Sequence, residues 1–362
     1  MIEQGYDTAL PPDAILYAAL LARDSAWEGR AFVGVTSTGI FCRLTCPARN
    51  PRPENCRFFP TPAAALAAGF RACKRCHPLA PEALADPLVR ALLAALDADL
   101  KAGPEARWTE ARVVEAGFDP STVRRVFRRH FGVTFLDLAR QRRLGAGLKT
   151  LAAGGKVIEA QLEAGFESPS AFRAAFARMA GVAPGALARD ALLRADWLET
   201  PLGPMIAVAD ARALHLLEFV GRKALPAEVR RLHAAAKGSL GVGTLPPHDQ
   251  IARELAAYFE GRSASFTVPL AQQGTPFTRR VWQALCEIPA GQTRSYSQLA
   301  QAIGRPEAVR AVARANGANQ IALIVPCHRV IGADGALTGY GGGLWRKQRL
   351  IDLEQQFAPA PA

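Results

Sequence analysis

The sequence predicts a multidomain protein that combines a small α/β domain at residues 1–80, an all-α domain at residues 86–194 and an α/β plus helical domain at residues 197–357. Three observations support this division. Five of the seven cysteines lie between positions 42 and 76, apolar residues recur at spacings of three and four from about residue 86, and the apolar period changes after Trp197. The length of 362 residues suits two or three domains.

Composition places the chain among globular proteins. It is 49% hydrophobic and 21% charged, which excludes a mostly disordered protein. No apolar run approaches the ~18 residues that a membrane-spanning helix needs. The N-terminus lacks the basic and apolar regions of a signal peptide. We therefore expect a cytoplasmic protein with no membrane partner.

The net charge of +12 is concentrated in two segments. Residues 41–80 contain seven Lys or Arg and one acidic residue, and residues 101–150 contain eleven and five, so that each segment contributes +6. A basic surplus confined to two segments favours a polyanionic partner. Solvated helix faces are the alternative explanation for such runs.

Local patterns predict the elements of each domain. In the first domain we expect a strand and turn at residues 30–39 and an Ala-rich helix at residues 61–70. The second domain is helical throughout, with glycines between its helices. In the third domain, residues 213–220 (ALHLLEFV) predict a strand, and helices flank the apolar run at residues 321–325.

Four cysteines have the spacing of a metal site. Two pairs, separated by three and by two residues, are each close enough to hold one tetrahedral ion, and they consist of Cys42 and Cys46, then Cys73 and Cys76. Thiolate ligands in this pattern favour Zn2+. A zinc ion that only stabilises a small domain is the simplest explanation at this point. Cys56 lies between the pairs and is expected to be a packed side chain.

Two helix-turn-helix units are predicted in the helical domain. In the first, a helix at residues 111–117 is followed by a turn and a second helix at residues 122–130, capped by Ser121 or Asp119. The same plan returns at residues 157–179. An ordinary helical bundle with solvated arginines is the alternative, and the duplication weighs against it. The arginines placed to contact bases or phosphates are Arg124, Arg125, Arg128, Arg129 and, in the second unit, Arg173.

A thiol and an imidazole are adjacent in the segment IVPCHRV, as Cys327 and His328. A thiol of pKa ~8.5 is only about 3% thiolate at neutral pH, so a nucleophilic cysteine needs a nearby base or a positive field. For the dipeptide by itself, a buried structural cysteine is the simpler interpretation. The segments on either side of the dipeptide instead favour a reactive cysteine, because they resemble a family of enzymes with a nucleophilic cysteine.

Residues in the same order and spacing occur in the O6-alkylguanine-DNA alkyltransferase family, which this segment resembles and for which PCHRV is highly specific. They are Tyr296 in GQTRSYSQLA, Arg310 in RPEAVRAVARANGAN, Asn319, Tyr340 and Gly341 in GYGGGL, and Glu354. The segment AGFESPSAFRAAFARMAGVAP resembles the AraC-type DNA-binding domain. TGIFCRLTC and ALAAGFRACKRCHP resemble the methylphosphotriester-sensing zinc domain of the Ada family. These three domains in this order resemble an Ada-type DNA repair protein and transcriptional activator over nearly the whole chain.

The resemblance implies a single-turnover methyltransferase. Cys327 would accept the alkyl group of O6-alkylguanine in one irreversible displacement. His328 would act as general base on the thiol through a water molecule, and Glu354 would orient and polarise the imidazole.

The resemblance also implies roles around the substrate. Tyr296 would donate a proton to the departing guanine, and Asn319 would hold the reacting segment. Because the target base must leave the duplex stack, Arg310 would fill the gap. Tyr340 and Gly341 would shape the alkyl pocket.

For the first domain, the resemblance implies that Cys42 is a second methyl acceptor, for methylphosphotriesters, and that it binds one Zn2+ together with Cys46, Cys73 and Cys76. Four thiolates and one Zn2+ carry a formal charge of about −2. Methylation would remove one negative charge, strengthen DNA binding and switch the protein into an activator of alkylation-response genes. The implied partners are double-stranded DNA, alkylated or promoter, and RNA polymerase.

Two other functions compete with this one. The first is a zinc-containing AraC-type regulator with only one active acceptor site. The second is a regulator fused to a DNA glycosylase, which would need a helix-hairpin-helix and a catalytic aspartate. The third domain contains the PCHRV segment instead of those features, which favours the alkyltransferase.

Overall fold

The computed structural model describes residues 10–24, 27, 31–60, 64–65, 68–73, 75–76, 78, 86–102 and 107–357. The chain forms two compact units, Met1–Ala95 and Leu96–Ala362. The predicted helical domain, from residue 96 onward, therefore shares one unit with the C-terminal domain. The mixture of a cysteine-rich α/β domain, helices and a further α/β domain confirms the predicted fold class. No helix in the described parts of the chain is long and apolar enough to cross a membrane.

The first unit is built on a four-stranded sheet in the order β3-β1-β2-β4, with helix α1 before it. The elements are α1 (Asp13–Ala22), β1 (Phe32–Val35), β2 (Ile40–Arg43), β3 (Cys56–Phe59) and β4 (Arg71–Ala72). β1 pairs antiparallel with β2 and β3, whereas β2 and β4 run parallel. The predicted strand and turn near residue 35 are confirmed. Five of the ten residues of the predicted helix at 61–70 lie outside the described residues, and residues 64 and 65 are helical.

Six helices follow in the described residues from 87 to 180, and side-chain caps start five of them, the first at Asp86, whose carboxylate accepts from the Leu88 amide at 3.0 Å. They are α2 (Pro87–Ala102), α3 (Glu110–Glu115), α4 (Pro120–Phe131), α5 (Phe135–Ala152), α6 (Val157–Glu163) and α7 (Pro169–Ala180). Thr109, Asp119, Thr134 and Ser168 each accept a hydrogen bond from a backbone amide in the first turn. Of the two caps that the sequence allowed for α4, the structure selects Asp119, whose carboxylate lies 2.7 Å from the Thr122 amide.

The helical pattern ends earlier than residue 194. A 3-10 turn at Pro184–Ala186 follows α7, and strand β5 begins at Leu193. Burial alternates along the first half of this strand, which is the period of a sheet and not of a helix. The two terminal residues of the predicted helical domain therefore belong to the next sheet, because pairing with neighbouring strands overrides local helix propensity there.

A second four-stranded sheet, in the order β7-β6-β5-β8, opens the C-terminal region. Its strands are β5 (Leu193–Leu198), β6 (Met205–Ala209), β7 (Leu214–Phe219) and β8 (Leu240–Val242), and the helices beside them are α8 (Leu225–Ala235) and α9 (Pro246–Phe259). β5, β6 and β7 form an antiparallel meander, and β8 pairs parallel with β5. The strand predicted around residue 216 is confirmed as β7.

The helices and this sheet share a hydrophobic core. Phe172 and Phe176 of α7 pack in the same buried cluster as Trp197 and Ile206 of the sheet. The approach of α5 requires a glycine, because a Cβ atom on Gly145 would lie 2.5 Å from the Trp197 ring. This shared core explains why two predicted domains form one compact unit.

The C-terminal half carries the remaining elements, α10 (Pro276–Cys286), β9 (Arg294–Ser295), α11 (Tyr296–Ala302), α12 (Val309–Gly317), a 3-10 turn at Cys327–Arg329, β10 (Val330–Ile331) and α13 (Leu344–Glu354). The apolar run at residues 321–325 is neither helix nor strand. It lies against β7, because the Leu217 carbonyl accepts a hydrogen bond from the Ala322 amide at 2.8 Å. Leu323 has a φ of 69°, a backbone conformation that non-glycine residues rarely adopt.

Candidate active and metal sites

The four paired cysteines meet at one place in the first unit. Cys42 lies on β2, Cys46 follows the turn after it, and Cys73 and Cys76 come after β4. Their Sγ atoms all lie within 4.8 Å of one another, and the residues are between 4% and 8% exposed. The local fold thus brings both pairs to a single buried point, as the sequence predicts.

This sulfur cluster has the chemistry of a zinc site. The hydrogen bond with Cys46 raises the pKa of Cys42 far above its usual value, whereas the same contact lowers the pKa of Cys46 to about 2. Without a cation, the cluster keeps a proton on one sulfur to stabilise the thiolate of another. A bound divalent cation would stabilise all four sulfurs as thiolates. Backbone amides of Arg43 and Arg75 lie 3.4 Å from the Sγ atoms of Cys76 and Cys73, as is typical around thiolates.

Arginines are frequent in the segment that holds the four cysteines, residues 42–76, and they differ in exposure. Arg43 is buried, and its Nε atom donates to the Cys76 carbonyl at 3.2 Å. Cys56 is not part of the cluster, and its Sγ atom lies 3.3 Å from the Arg52 carbonyl. The arginines exposed to solvent are Arg49, Arg52, Arg57, Arg71 and Arg75. These exposed cations are available to phosphate groups.

The second helix of the first helix-turn-helix unit has one buried and one basic face. Val123 and Phe127 of α4 are buried, and the four arginines of this helix are all exposed: Arg124, Arg125, Arg128 and Arg129. Arg124 forms an ion pair with Glu110. Arg173 is exposed at the corresponding place on α7, where Phe172 and Phe176 are buried. Both second helices therefore present arginine on the face opposite the core.

Cys327 lies at the start of the 3-10 turn that follows the apolar run. It is 7% exposed, and its Sγ atom accepts a hydrogen bond from the Asn319 side-chain amide at 3.2 Å. The same amide donates to the Val325 carbonyl at 2.8 Å, and the Asn319 side-chain oxygen accepts from the Ile321 amide at 3.0 Å. Asn319 therefore ties both ends of the apolar run to the sulfur.

A buried carboxylate orients the neighbouring imidazole. Glu354, at the end of α13, lies 2.9 Å from His328 Nε2, and both residues are almost completely buried. Arg329 donates to both Glu354 oxygens at 2.7 and 2.8 Å, and the Tyr258 hydroxyl donates to Oε1 at 2.8 Å. With Nε2 directed at the carboxylate, the buried Nδ1 atom of His328 has no protein partner and is the basic nitrogen.

Burial and neighbouring charges shift the pKa values of Glu354, His328 and Cys327 away from their usual values. Burial raises the pKa of the Glu354 carboxyl, but His328 and Arg329 outweigh it and hold the pKa well below the usual value. Burial lowers the pKa of His328, which keeps the imidazole neutral at pH 7. Burial also raises the pKa of Cys327 to about 11, so that the resting sulfur is a thiol. The thiol therefore needs a base, and a neutral imidazole lies beside it in the chain.

The predicted substrate residues lie on the segments around this thiol. Tyr296 begins α11, and its hydroxyl donates to the Gly339 carbonyl at 3.4 Å. The ring of Tyr340 lies edge-on to His328 with centroids 6.4 Å apart, and its buried hydroxyl has no protein partner. Gly341 lies against Arg222, since a Cβ atom there would be 2.7 Å from Nε. Arg310 is exposed in the first turn of α12.

Sequence reasoning missed several buried charged or polar residues around the thiol. Arg329 lies inside the PCHRV motif, so its place beside Cys327 and His328 was available as a signal. Tyr258 and Arg222 lie far away in the sequence and carry no motif that marks them. Lys347 is completely buried and donates to the Thr338 carbonyl, and no motif in α13 marks it.

Three parts of the chain match known families. Residues 15–78 match the metal binding domain of Ada, residues 113–190 match a helix-turn-helix domain, and residues 276–356 match the DNA binding domain of 6-O-methylguanine DNA methyltransferase. These matches contain the sulfur cluster, the arginine-bearing helices and the thiol site respectively. They confirm the family resemblance of each part.

Full-length relatives combine the same parts. The chain is 35% identical over 360 residues to the regulatory protein Ada of Salmonella typhimurium, which covers 96% of this chain and 98% of the relative. It is also 35% identical over 351 residues to the bifunctional transcriptional activator/DNA repair enzyme Ada of Escherichia coli, covering 94% and 96%. The crystal structure of Mycobacterium tuberculosis O6-methylguanine methyltransferase is 42% identical, covers 47% of this chain and 96% of that chain, and has a TM-score of 0.41. Because two relatives extend over nearly the whole of both chains, the chain belongs to the Ada family.

Proposed function

We propose that this protein repairs alkylated DNA by two irreversible transfers, from O6-alkylguanine to Cys327 and from methylphosphotriesters to Cys42, and that the second transfer makes it a transcriptional activator. The observation that carries the proposal is the buried thiol of Cys327, bonded to Asn319 and followed by an imidazole that is fixed on Glu354. Each of these contacts serves a nucleophile that reacts once.

The transfer to Cys327 is a single displacement. The sulfur attacks the alkyl carbon, so that an S–C bond forms as the C–O6 bond of guanine breaks. The thiol proton passes through a water molecule to Nδ1 of His328, and the resulting imidazolium is stabilised by the Glu354 carboxylate 2.9 Å from Nε2. Tyr296, at the start of α11, supplies a proton to the departing base. The thioether that remains has no leaving group, so the protein does not turn over.

The rate of this transfer should stay constant over most of the neutral range. Burial lowers the pKa of His328 below 6.5, and only the neutral imidazole accepts a proton. The competent form therefore exists above that lowered pKa and is lost as the pH falls through it. We expect single-turnover rate constants to be flat from about pH 8 to about pH 6.5 and to decline only below that. A decline that begins above pH 7 would contradict this order of pKa values.

Arg310 is proposed to occupy the base stack after the target nucleotide has turned out. It is exposed on α12, and near the opposite end of this helix the Asn316 side-chain amide donates to the Cys327 carbonyl at 3.5 Å. Because base flipping costs a few kcal/mol in a duplex and least in a single strand, Arg310→Ala should slow transfer from duplex DNA about tenfold or more and leave transfer from free O6-alkylguanine unchanged. Arg314→Ala, an exposed arginine on the same helix, is the matched control. Equal losses on both substrates would assign Arg310 to the fold or the thiol site.

Cys42 is proposed to take the methyl group of a methylphosphotriester. Its sulfur attacks the methyl carbon, an S–C bond forms, and the phosphate oxygen leaves as an ordinary phosphodiester. When bound, Zn2+ keeps the four sulfurs as thiolates, which makes such a transfer possible at neutral pH. Exposed arginines of the same segment, such as Arg49 and Arg75, are proposed to hold the neighbouring phosphates.

The methylated cluster is proposed to switch promoter affinity by its change of charge. Removing one negative charge near DNA phosphates should strengthen binding, and the gain should shrink with salt, because the Debye length falls from ~10 Å at 0.1 M to ~3 Å at 1 M. The measurement compares fully methylated and fully unmethylated protein on one operator across salt concentrations. A salt-independent affinity ratio would favour a steric or conformational switch.

Double-stranded DNA is the partner of both helix-turn-helix units in this proposal. The arginine faces of α4 and α7 support it, since each lies opposite a buried aromatic face. RNA polymerase is the further partner that an activator bound to a promoter requires.

Stoichiometry tests the proposed function. The protein is incubated with duplex DNA that contains both O6-methylguanine and methylphosphotriesters, and the labelled methyl groups transferred per chain are counted with time. We expect the count to stop at two per chain, whatever the excess of DNA. Continued turnover would exclude suicide transfer, and a final count of one would favour a regulator with a single active acceptor site.

A further inference from the structure

A buried charged cluster lies behind the reacting segment and is separate from the pair formed by His328 and Glu354. It consists of Glu218 at the end of β7, Arg222 just after that strand, and Glu228 in α8, which are 2%, 8% and 2% exposed. Arg222 forms an ion pair with Glu218, and its Nη2 atom lies 3.3 Å from Glu228 Oε1. A buried ion pair is stable only where hydrogen bonds satisfy the remaining donors and acceptors. The other hydrogen bonds of the Arg222 guanidinium therefore show what the cluster holds in place.

Those contacts reach across to the reacting half of the unit. Arg222 Nη1 donates to the Asn319 carbonyl at 2.6 Å, and Nη2 donates to the Gly317 carbonyl at 2.9 Å. Gly317 is the last residue of α12, where terminal carbonyls have no partner within the helix. One side chain that follows β7 of the second sheet thus caps α12, which carries Arg310, and holds the backbone of the next turn.

The Asn319 turn transmits this contact to the sulfur. The backbone carbonyl of Asn319 accepts from Arg222, while its side-chain amide donates to Cys327 Sγ at 3.2 Å. The glycine segment closes the other side, because Gly341 lies so near the guanidinium that a Cβ atom would be 2.7 Å from Nε. The guanidinium therefore fixes both the turn beneath the thiol and the segment beside it.

We propose that Arg222 is a positioning residue for alkyl transfer, which sets the place of Cys327 through Asn319 and the end of α12. The role needs the planar guanidinium, because a lysine ammonium cannot reach Glu218, Asn319 and Gly317 at once. Arg222 contacts no group that the proposed mechanism assigns to base flipping. Its loss should therefore slow transfer from free base and from duplex alike, unlike the loss of Arg310. The inference rests on the proposed role of Cys327 as acceptor.

Single-turnover kinetics of the full-length protein test this, because the amplitude reports the folded fraction and the rate constant reports the positioning. For Arg222→Lys we expect full amplitude and, on both substrates, a rate constant at or below about one tenth of the wild-type value. Arg231→Lys, an exposed arginine in the neighbouring helix, should match the wild type.

A second variant covers the case in which Arg222→Lys loses amplitude. The triple variant Glu218→Gln, Glu228→Gln and Arg222→Gln removes both carboxylates that pair with Arg222, and we expect it to fold and to remain slow. Wild-type rate constants in either folded variant, or loss of amplitude in both, would overturn the proposal and leave Arg222 with a structural role only. Methyl transfer to Cys42 in the same chains is the internal control. If the wild type is not alkylated on Cys327 at all, the proposed function fails and not this inference alone.

Discussion

Replacement of Cys327 by serine should abolish transfer from O6-methylguanine. The imidazole of His328 can remove the proton of a thiol, but a serine hydroxyl is far less acidic and far less nucleophilic. The variant should keep full transfer from methylphosphotriesters, because Cys42 lies in the other compact unit. The measurement is labelled methyl transfer from two DNA substrates, each with one kind of lesion.

Cys286→Ser is the matched control for this replacement, since Cys286 is an exposed cysteine of the same unit, at the end of α10. It should transfer at the wild-type rate. Guanine repair that survives in the Cys327 variant would show that another residue accepts the alkyl group.

Replacement of Glu354 by alanine should have the largest combined effect on rate and stability. It leaves His328, Arg329 and Tyr258 without their shared buried partner, and breaking a buried pair in this way costs about 3–5 kcal/mol. Without the oriented imidazole the rate constant should fall about 100-fold or more. Asp352→Ala, an exposed carboxylate in the same helix, should change neither quantity appreciably.

The pH dependence of the free energy of unfolding distinguishes loss of the Glu354 charge from loss of side-chain packing in Glu354→Ala. Because the pKa of Glu354 is held below its usual value, its contribution to stability is present at neutral pH and is lost as the pH falls below the usual carboxyl range. The stability difference between wild type and Glu354→Ala should therefore narrow on acidification. A difference that stays constant from neutral to acid pH would mean that the carboxylate charge contributes little.

The sequence predicts the parts of this protein better than it predicts their boundaries. The two cysteine pairs, the repeated helix-turn-helix plan and the strand β7 carry local patterns, because short-range spacing determines them. No local pattern marks the start of β5 at Leu193, because the pairing of β5 with β6 and β8, farther along the chain, determines where this strand begins. The shared core of α5 to α7 with the second sheet is likewise a tertiary property that no local period shows.

The candidate site divides in the same way. His328 and Arg329 are adjacent to Cys327, so a motif reveals them together. Tyr258 and Arg222 approach the site only through the packing of α9 and β7, and their sequence neighbours give no sign of it. Distant buried polar partners of a reactive group are therefore the part of a site that needs a structure.

Peptide mapping by mass spectrometry after incubation with methylated DNA locates the two proposed acceptors directly. We expect two modified peptides, each heavier by one methyl group, with fragment ions that place the groups on Cys42 and Cys327. Cys46, Cys73, Cys76 and Cys286 should stay unmodified. Methyl groups on any other residue, or none on Cys327 after exposure to O6-methylguanine, would contradict the account.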